Sequence, residues 1–221
     1  MRAAPSTARL HGVVLAAGSG RRMGGPKALL RLGGRTLLER HLERLHEAGC
    51  ADLLAVVRPA DADAASAVAR ELACAVRIVA AATPSQAASL VAALRRVALV
   101  ADDVVAITPV DLLPPRVDTV RALAARLEGP FAPSERVLAA TPSFRGEGGH
   151  PALVRAAALA PYLRGETPPL REVLAALGPR RARLEVDDPS VTGDLDEPAD
   201  LLAGAGRAGR RPRDPAPRAP R

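Results

Sequence analysis

The chain has 221 residues, enough for one domain with a sizeable core, and 48% of them are hydrophobic. Only 1% are aromatic, which argues against the interleaved rings that stack single-stranded nucleic acid, and no apolar run approaches the roughly 20 residues of a membrane span. The formal charge is +7, but +5 of it comes from the six arginines and one aspartate of residues 203–221, leaving +2 on the rest, so no specific nucleic-acid or membrane partner is expected.

In chain order, residues 1–10 read as a flexible start without an apolar leader core. Gly12–Ala17 is predicted as a buried strand, a short apolar run between glycines. Thr36 and Glu39 form a capping box that opens a helix with Leu37, Leu38, Leu42 and Leu45 on one face, closed by Gly49. Leu53–Val57 is a strand, Asp61–Ala73 a helix, Val76–Ala80 a strand, and Pro84–Val97 a helix with Leu90, Val91 and Leu94 inward. Val104–Ile107 is a buried strand that runs into Thr108-Pro109-Val110-Asp111, and Pro115–Leu127 is helical. Arg136–Ala140 and His150–Val154 read as strands, Pro169–Leu177 as a helix, Leu184–Val186 as a last strand and Pro198–Leu202 as a last helix. Residues 203–221, rich in Pro, Gly and Arg without periodicity, read as a disordered tail, so the folded domain is set at residues 11–202. Cys50 and Cys74 stand alone and read as core residues or free thiols; His11, His41 and His46 read as surface or helix residues.

Strands alternating with helices of this length specify a three-layer α/β/α sandwich with a mostly parallel, Rossmann-like sheet. Ligands of such sheets bind at the carboxyl ends of the strands, where both the loop after the first strand and Asp111 must lie. That loop is rich in glycine, and it holds the chain's single lysine, Lys27, against thirty arginines. Glycines there let the backbone turn and expose amides that cradle phosphate, and a compact ammonium is not interchangeable with a guanidinium at a crowded phosphate. Two familiar loops fail to match. The P-loop requires Gly-Lys followed by Ser or Thr, whereas Pro26 precedes Lys27 and Ala28 follows it. The spacing Gly18-x-Gly20-x-x-x-Gly24 is one residue too long for the dinucleotide fingerprint.

The run Leu15-Ala16-Ala17-Gly18-Ser19-Gly20-Arg21-Arg22-Met23-Gly24-Gly25-Pro26-Lys27 resembles the signature of the nucleotidyltransferases with an L-A-A-G-x-x-x-R-M-x-x-P-K loop. The likeness is strongest to the MobA-like branch, which makes molybdenum-cofactor dinucleotides, because only Gly24 and Gly25 separate the R-M and P-K pairs. It covers residues 12–202 and implies a nucleotide-diphospho-sugar transferase-like fold. It also implies Mg²⁺ as cofactor, CTP or GTP as donor and a phosphorylated, molybdopterin-type acceptor, in a cytoplasmic enzyme that releases pyrophosphate.

By the same resemblance, the backbone of Leu15, Ala16, Ala17 and Gly18, with Ser19, Gly20, Arg21, Arg22 and Met23, holds the nucleotide, and Ser89 contacts its sugar or base. Lys27, Arg22 and Asp111 are the catalytic candidates. Asp111 and Asp194 are the candidate metal carboxylates, with Asp196 a further one, in the run Gly193-Asp194-Leu195-Asp196-Glu197-Pro198-Ala199-Asp200-Leu201. His150, in Gly148-Gly149-His150-Pro151, is the candidate acceptor contact. The chain departs from the pattern at Leu113, where relatives have proline, and at Thr83-Pro84-Ser85-Gln86, where they are glycine-rich. The residues alone leave Asp111 open to a second reading, as the cap of the helix that follows. Two other functions also stay open: transfer to a sugar phosphate or small phospho-acid, and a non-catalytic nucleotide-binding partner in molybdoenzyme maturation.

Overall fold

A computed structural model of the chain describes residues 8–18, 20, 25–128 and 136–195. Its elements are β1 (Leu10–Ala16), a small hairpin of β2 (Arg31–Leu32) and β3 (Arg35–Thr36), α1 (Leu37–Glu47), β4 (Asp52–Val57), α2 (Ala62–Arg70), β5 (Val76–Ala80) and α3 (Gln86–Leu94). There follow β6 (Val104–Pro109), α4 (Val117–Ala125), β7 (Ala139–Phe144), β8 (Glu147–Gly148), β9 (Ala152–Arg155), α5 (Ala160–Leu163), α6 (Leu170–Ala176) and β10 (Arg181–Glu185). Apart from the β2–β3 hairpin, the strands form one sheet in the order β10-β7-β9-β6-β1-β4-β5, with β8 paired to β7. β1 is parallel to β4 and β6, β4 to β5, and β7 to β10, while β9 runs antiparallel between β6 and β7. The carboxyl ends of β1, β6, β7 and β10 therefore share one edge with the amino end of β9.

Strand alternation divides the core. On β1, Val14 and Ala16 face the cluster covered by α1, α2 and α4; Val13 and Leu15 face the cluster covered by α3, α5 and α6. This is the expected three-layer α/β/α sandwich. The capping box of α1 is formed as read: the Glu39 amide donates to Thr36 Oγ1 at 3.1 Å, and the Thr36 amide donates to Glu39 Oε2 at 3.1 Å.

Some boundaries differ from the sequence reading. α2 and α3 are shorter at both ends than expected. The β2–β3 hairpin was not read; Gly33 and Gly34 turn it with positive φ. β7 runs on to Phe144, and β10 starts at Arg181, three residues before the expected strand. The expected helix at 198–202 and the tail lie outside the described residues. No helix among the described residues is long and apolar enough to cross a membrane.

Two histidines read as surface or helix residues are buried. His11, on β1, is 1% exposed, with Nδ1 3.0 Å from Asp52 Oδ2 and Nε2 3.4 Å from Asp103 Oδ2, ion-pair distances without hydrogen-bond alignment. Burial opposes the charge of Asp103, but the amides of Arg9 and Val100, together with His11, hold its carboxyl below the usual range. His41 is helical as read but fully buried on α1, and it acts on the site described next. Cys50 is a buried free thiol, pushed up to about 12 by burial, and Cys74 is a half-buried one.

Candidate active site

Two cavities open side by side at the carboxyl edge of the sheet, and Leu15, Ser85 and Gln86 line both. The smaller, about 310 Å³, is walled by Ala17, Gly18 and Gly20 after β1, Lys27 beyond the loop, and Val110 and Asp111 after β6. Thr83, Pro84 and Ser89 close its far side. The first turn of α3 points at the junction of the two. Ser85 caps it, accepting from the Ala88 amide at 3.1 Å, and the remaining amides of that turn favour a negative charge in front of them.

The glycine loop is tightly folded where it is described. Gly20 has φ +56°, and a Cβ there would lie 2.0 Å from the Gly25 carbonyl and 3.0 Å from the Lys27 amide. Only glycine fits, and the contact brings the start of the loop against its end, beside the short 3-10 turn that begins at Lys27. Ala16 turns its side chain into the core of the opposite face, and the Leu15 carbonyl accepts from the Val110 amide at 3.0 Å. Ala16 therefore has only its backbone for a nucleotide. The Ser89 hydroxyl donates to the Ser85 carbonyl at 3.1 Å and lies 2.6 Å from Thr83 Oγ1. Thr83 and Ser85 thus hold the serine and share its cavity wall, at the positions where the sequence departs from the glycine-rich pattern.

Asp111 is not a helix cap. The start of α4 is capped by Asp188, 2% exposed, whose Oδ2 accepts from the Arg116 amide at 2.9 Å and from Thr119 Oγ1 at 2.7 Å. Sequence reasoning passed over Asp188, because no helix start lies near it in the chain. The segment from 186 to 195 returns from the outer strand β10 to the centre of the sheet. The Val191 carbonyl accepts from the His150 amide at 2.9 Å, Gly193 from the Leu113 amide at 3.0 Å, and Asp111 from the Leu195 amide at 2.7 Å. An antiparallel bridge pairs Leu112 with Asp194, so two carboxylates 83 residues apart stand at neighbouring backbone positions. Gly149 makes room for this segment: a Cβ there would lie 2.1 Å from the Val191 oxygen. His41 braces it from below, with Nε2 3.0 Å from the Leu112 carbonyl; a carbonyl only accepts, so this nitrogen carries the proton. Burial pushes His41 down to about 4, so it is neutral near pH 7.

His150 enters the larger cavity, about 640 Å³. Its Nδ1 is shielded from solvent and has no partner among the described residues. Burial lowers its pKa, against a backbone hydrogen bond to Ile107 and the charges of Asp111 and Asp194, which raise it. Both carboxylates therefore bear on the histidine where the cavities approach each other. Among the described residues, no three His, Cys, Asp or Glu side chains gather as a metal cage. Asp111 lines the smaller cavity, whereas Asp194 lines neither cavity and is tied to it through the backbone bridge to Leu112. Ser19, Arg21, Arg22, Met23 and Asp196 lie outside the described residues.

Residues 12–184 match the model of the MobA-like NTP transferase domain. The chain belongs to this family. It is a nucleotidyltransferase by that membership, with the family's fold. Among solved structures it is similar to Rv0371c from Mycobacterium tuberculosis, at 23% identity over 91% of this chain and 99% of that one, TM-score 0.72; a complex of that protein with manganese also matches. A homologue of Rv0371c from Mycobacterium sp. strain JC1 shares 28% identity over 90% and 98% of the two chains, TM-score 0.69. A nucleotidyl transferase from Methanothermobacter thermautotroptrophicus shares 23% over 90% and 97%, TM-score 0.70. No curated protein matches the chain.

Proposed function

We propose that this nucleotidyltransferase moves a nucleoside monophosphate from CTP or GTP to the phosphate of a molybdopterin-type acceptor, with Mg²⁺ as cofactor and release of pyrophosphate. The observation that carries the reading is the pair of cavities meeting at Leu15, Ser85 and Gln86, with Lys27 and Asp111 in one and His150 in the other. A donor in the smaller cavity presents its α-phosphorus towards the larger. An acceptor phosphate oxygen forms a bond to that phosphorus as the bond to the bridging oxygen breaks, and pyrophosphate leaves with the electron pair.

The chain needs no covalent nucleophile for this; positioning and fixed charge supply the rate. Lys27 offsets negative charge gathering at the α-phosphate. Ala17, Gly18 and Gly20 line the donor cavity, and by resemblance Gly20, Arg21 and Arg22 hold the β- and γ-phosphates of the leaving group. Asp111 and Asp194 are the residues to hold Mg²⁺, with Asp196 by resemblance; when bound, the ion supplies positive charge that neutralises and orients phosphate oxygens. His150, which lines the larger cavity, is by resemblance the contact for the acceptor. The test is pyrophosphate release by the purified protein with Mg²⁺ and each of four NTPs, with and without molybdopterin. Release that depends on CTP or GTP and on molybdopterin supports the reading; release only with a sugar phosphate or small phospho-acid replaces its acceptor.

A further inference from the structure

The proposed reaction drives one anion at another. A phosphate monoester is mostly a dianion above about pH 6, and here it must approach a triphosphate beside the Asp111 carboxylate. Like charges at that range repel unless a cation stands on the acceptor's side. The basic residue lining the smaller cavity is Lys27, on the donor's side. The larger cavity is lined by Arg171, Arg181 and Arg183 and by no aspartate or glutamate. Arg171 and Arg183 are exposed, whereas Arg181 is half-buried.

Arg181 is also held. It opens the outer strand β10, and its Nε and Nη2 donate to Thr141 Oγ1 at 3.2 and 3.1 Å. Thr141 lies in β7 and is 1% exposed. This grip uses one edge of the guanidinium and leaves the Nη1–Nη2 edge, with two parallel N–H groups, to an incoming partner. No carboxylate pairs with Arg181 among the described residues. The sheet sets the fork near His150. Ala140 pairs with Leu153 across antiparallel β7 and β9, and beyond them the Gly149 amide donates to the Pro142 carbonyl at 3.0 Å. Thr141 therefore faces the stretch of chain that carries His150. The electrostatics agree: the charge of Arg181 acts to lower the His150 pKa, and those of Asp111 and Asp194 act to raise it.

We infer that Arg181 binds the acceptor phosphate that reacts, gripping two of its oxygens through the Nη1–Nη2 edge and leaving the third to attack the α-phosphorus. A planar fork suits bidentate capture of a phosphate, and fixing two oxygens orients the third before the bond forms. Thr141 is a positioning residue: it sets the plane of the fork. The assignment rests on the proposed transfer reaction and asks of the acceptor only one phosphate monoester. Arg181 gives and takes no proton; the bonds made and broken are those of the transfer itself.

Binding and turnover test it separately. Calorimetry on the full chain, with Mg²⁺ and a non-hydrolysable NTP filling the donor site, compares phenyl phosphate with its neutral dimethyl ester. Phenyl phosphate is expected to bind about ten- to a hundredfold more tightly, the range for one charge-assisted bidentate contact, and the gap is expected to collapse in R181A. Equal binding of the two probes to the wild-type protein, or a gap that survives in R181A, overturns the inference. In the pyrophosphate assay with molybdopterin, R181A is expected to raise acceptor KM by a similar factor while NTP KM stays unchanged. Added guanidinium ion is expected to restore R181A and to do nothing for the wild-type protein; a merely structural arginine would raise both KM values and resist rescue, and that result also overturns the inference. T141V keeps the charge and frees the fork, so acceptor KM alone is expected to rise about two- to tenfold, the range for one lost hydrogen bond. This variant carries the test if R181A melts early, and an unchanged acceptor KM in it refutes the positioning role. Pyrophosphate release with an acceptor KM indifferent to R181A overturns the inference while the transfer reading stands. Phosphate binding that depends on Arg181, without pyrophosphate release from any acceptor, leaves the phosphate site assigned and the transfer reading refuted.

Discussion

Replacing His41 by leucine tests how the fold holds Asp111. At pH 7.5 the change removes the Nε2 donor from the Leu112 carbonyl inside the core, a loss of about 1–3 kcal/mol for a stranded acceptor, partly offset because the unpartnered Nδ1 also goes. A net cost of about 1–2 kcal/mol is expected. The pH dependence sharpens the test. His41 is pushed from its ordinary 6.5 to about 4 by burial, so between those values the unfolded chain binds a proton that the folded chain excludes. Stability from this residue is therefore complete above about pH 6.5 and falls as the pH drops towards 4, by about 3 kcal/mol at roughly 1.4 kcal/mol per pH unit. Leucine has no proton to exclude and escapes that loss. The two stability curves are expected to cross at about pH 5, with the variant more stable below it. Urea unfolding at half-unit steps from pH 7.5 to 4.5 measures both curves. If they run parallel over that range, the fold does not exclude the His41 proton, and the buried neutral donor under Leu112 is wrong.

Lys27→Ala is expected to slow pyrophosphate release by about two to three orders of magnitude, the usual loss for one preorganised charge; normal turnover would remove it from the reaction. Asp111→Asn should abolish Mg²⁺-stimulated turnover while the melting temperature holds, since Asp188 rather than Asp111 caps α4; stimulation by Mg²⁺ that persists would displace the metal assignment. Gly149→Ala forces a Cβ towards the Val191 oxygen, at an expected cost of about 1–3 kcal/mol. Because His150 hangs from the same Val191 carbonyl, acceptor KM should rise more than NTP KM, and equal effects on both would detach this contact from acceptor binding.

The glycine loop, Lys27, Asp111 and the run around Asp194 were legible because short local patterns carry them. The parallel sheet was legible because apolar strands alternate with helices. What escaped was set by partners distant in the chain. Arg181 and Arg183 went unread because an arginine-rich edge strand lacks apolar alternation on its open face, and the strand was begun at Leu184. Thr141 was lost when β7 was ended at Ala140, before the strand continues into its polar half. His41 did carry a signal. It falls three residues after Leu38 and four before Leu45, on the stripe that faces the core, so its position outweighed its polarity. The cap of α4 by Asp188 had none, for the two are brought together only by the returning segment.

That returning segment separates two kinds of tolerance. Every strand of the sheet is paired by Glu185, and the ten residues that follow add no new strand to it. An insertion between Asp188 and Val191 would leave the whole ladder intact while shifting Asp194 against Asp111 and releasing the His150 amide. The scaffold can then be sound while the proposed pairing of Asp111 with Asp194 is lost, so measurements of folding alone will overlook damage to this segment.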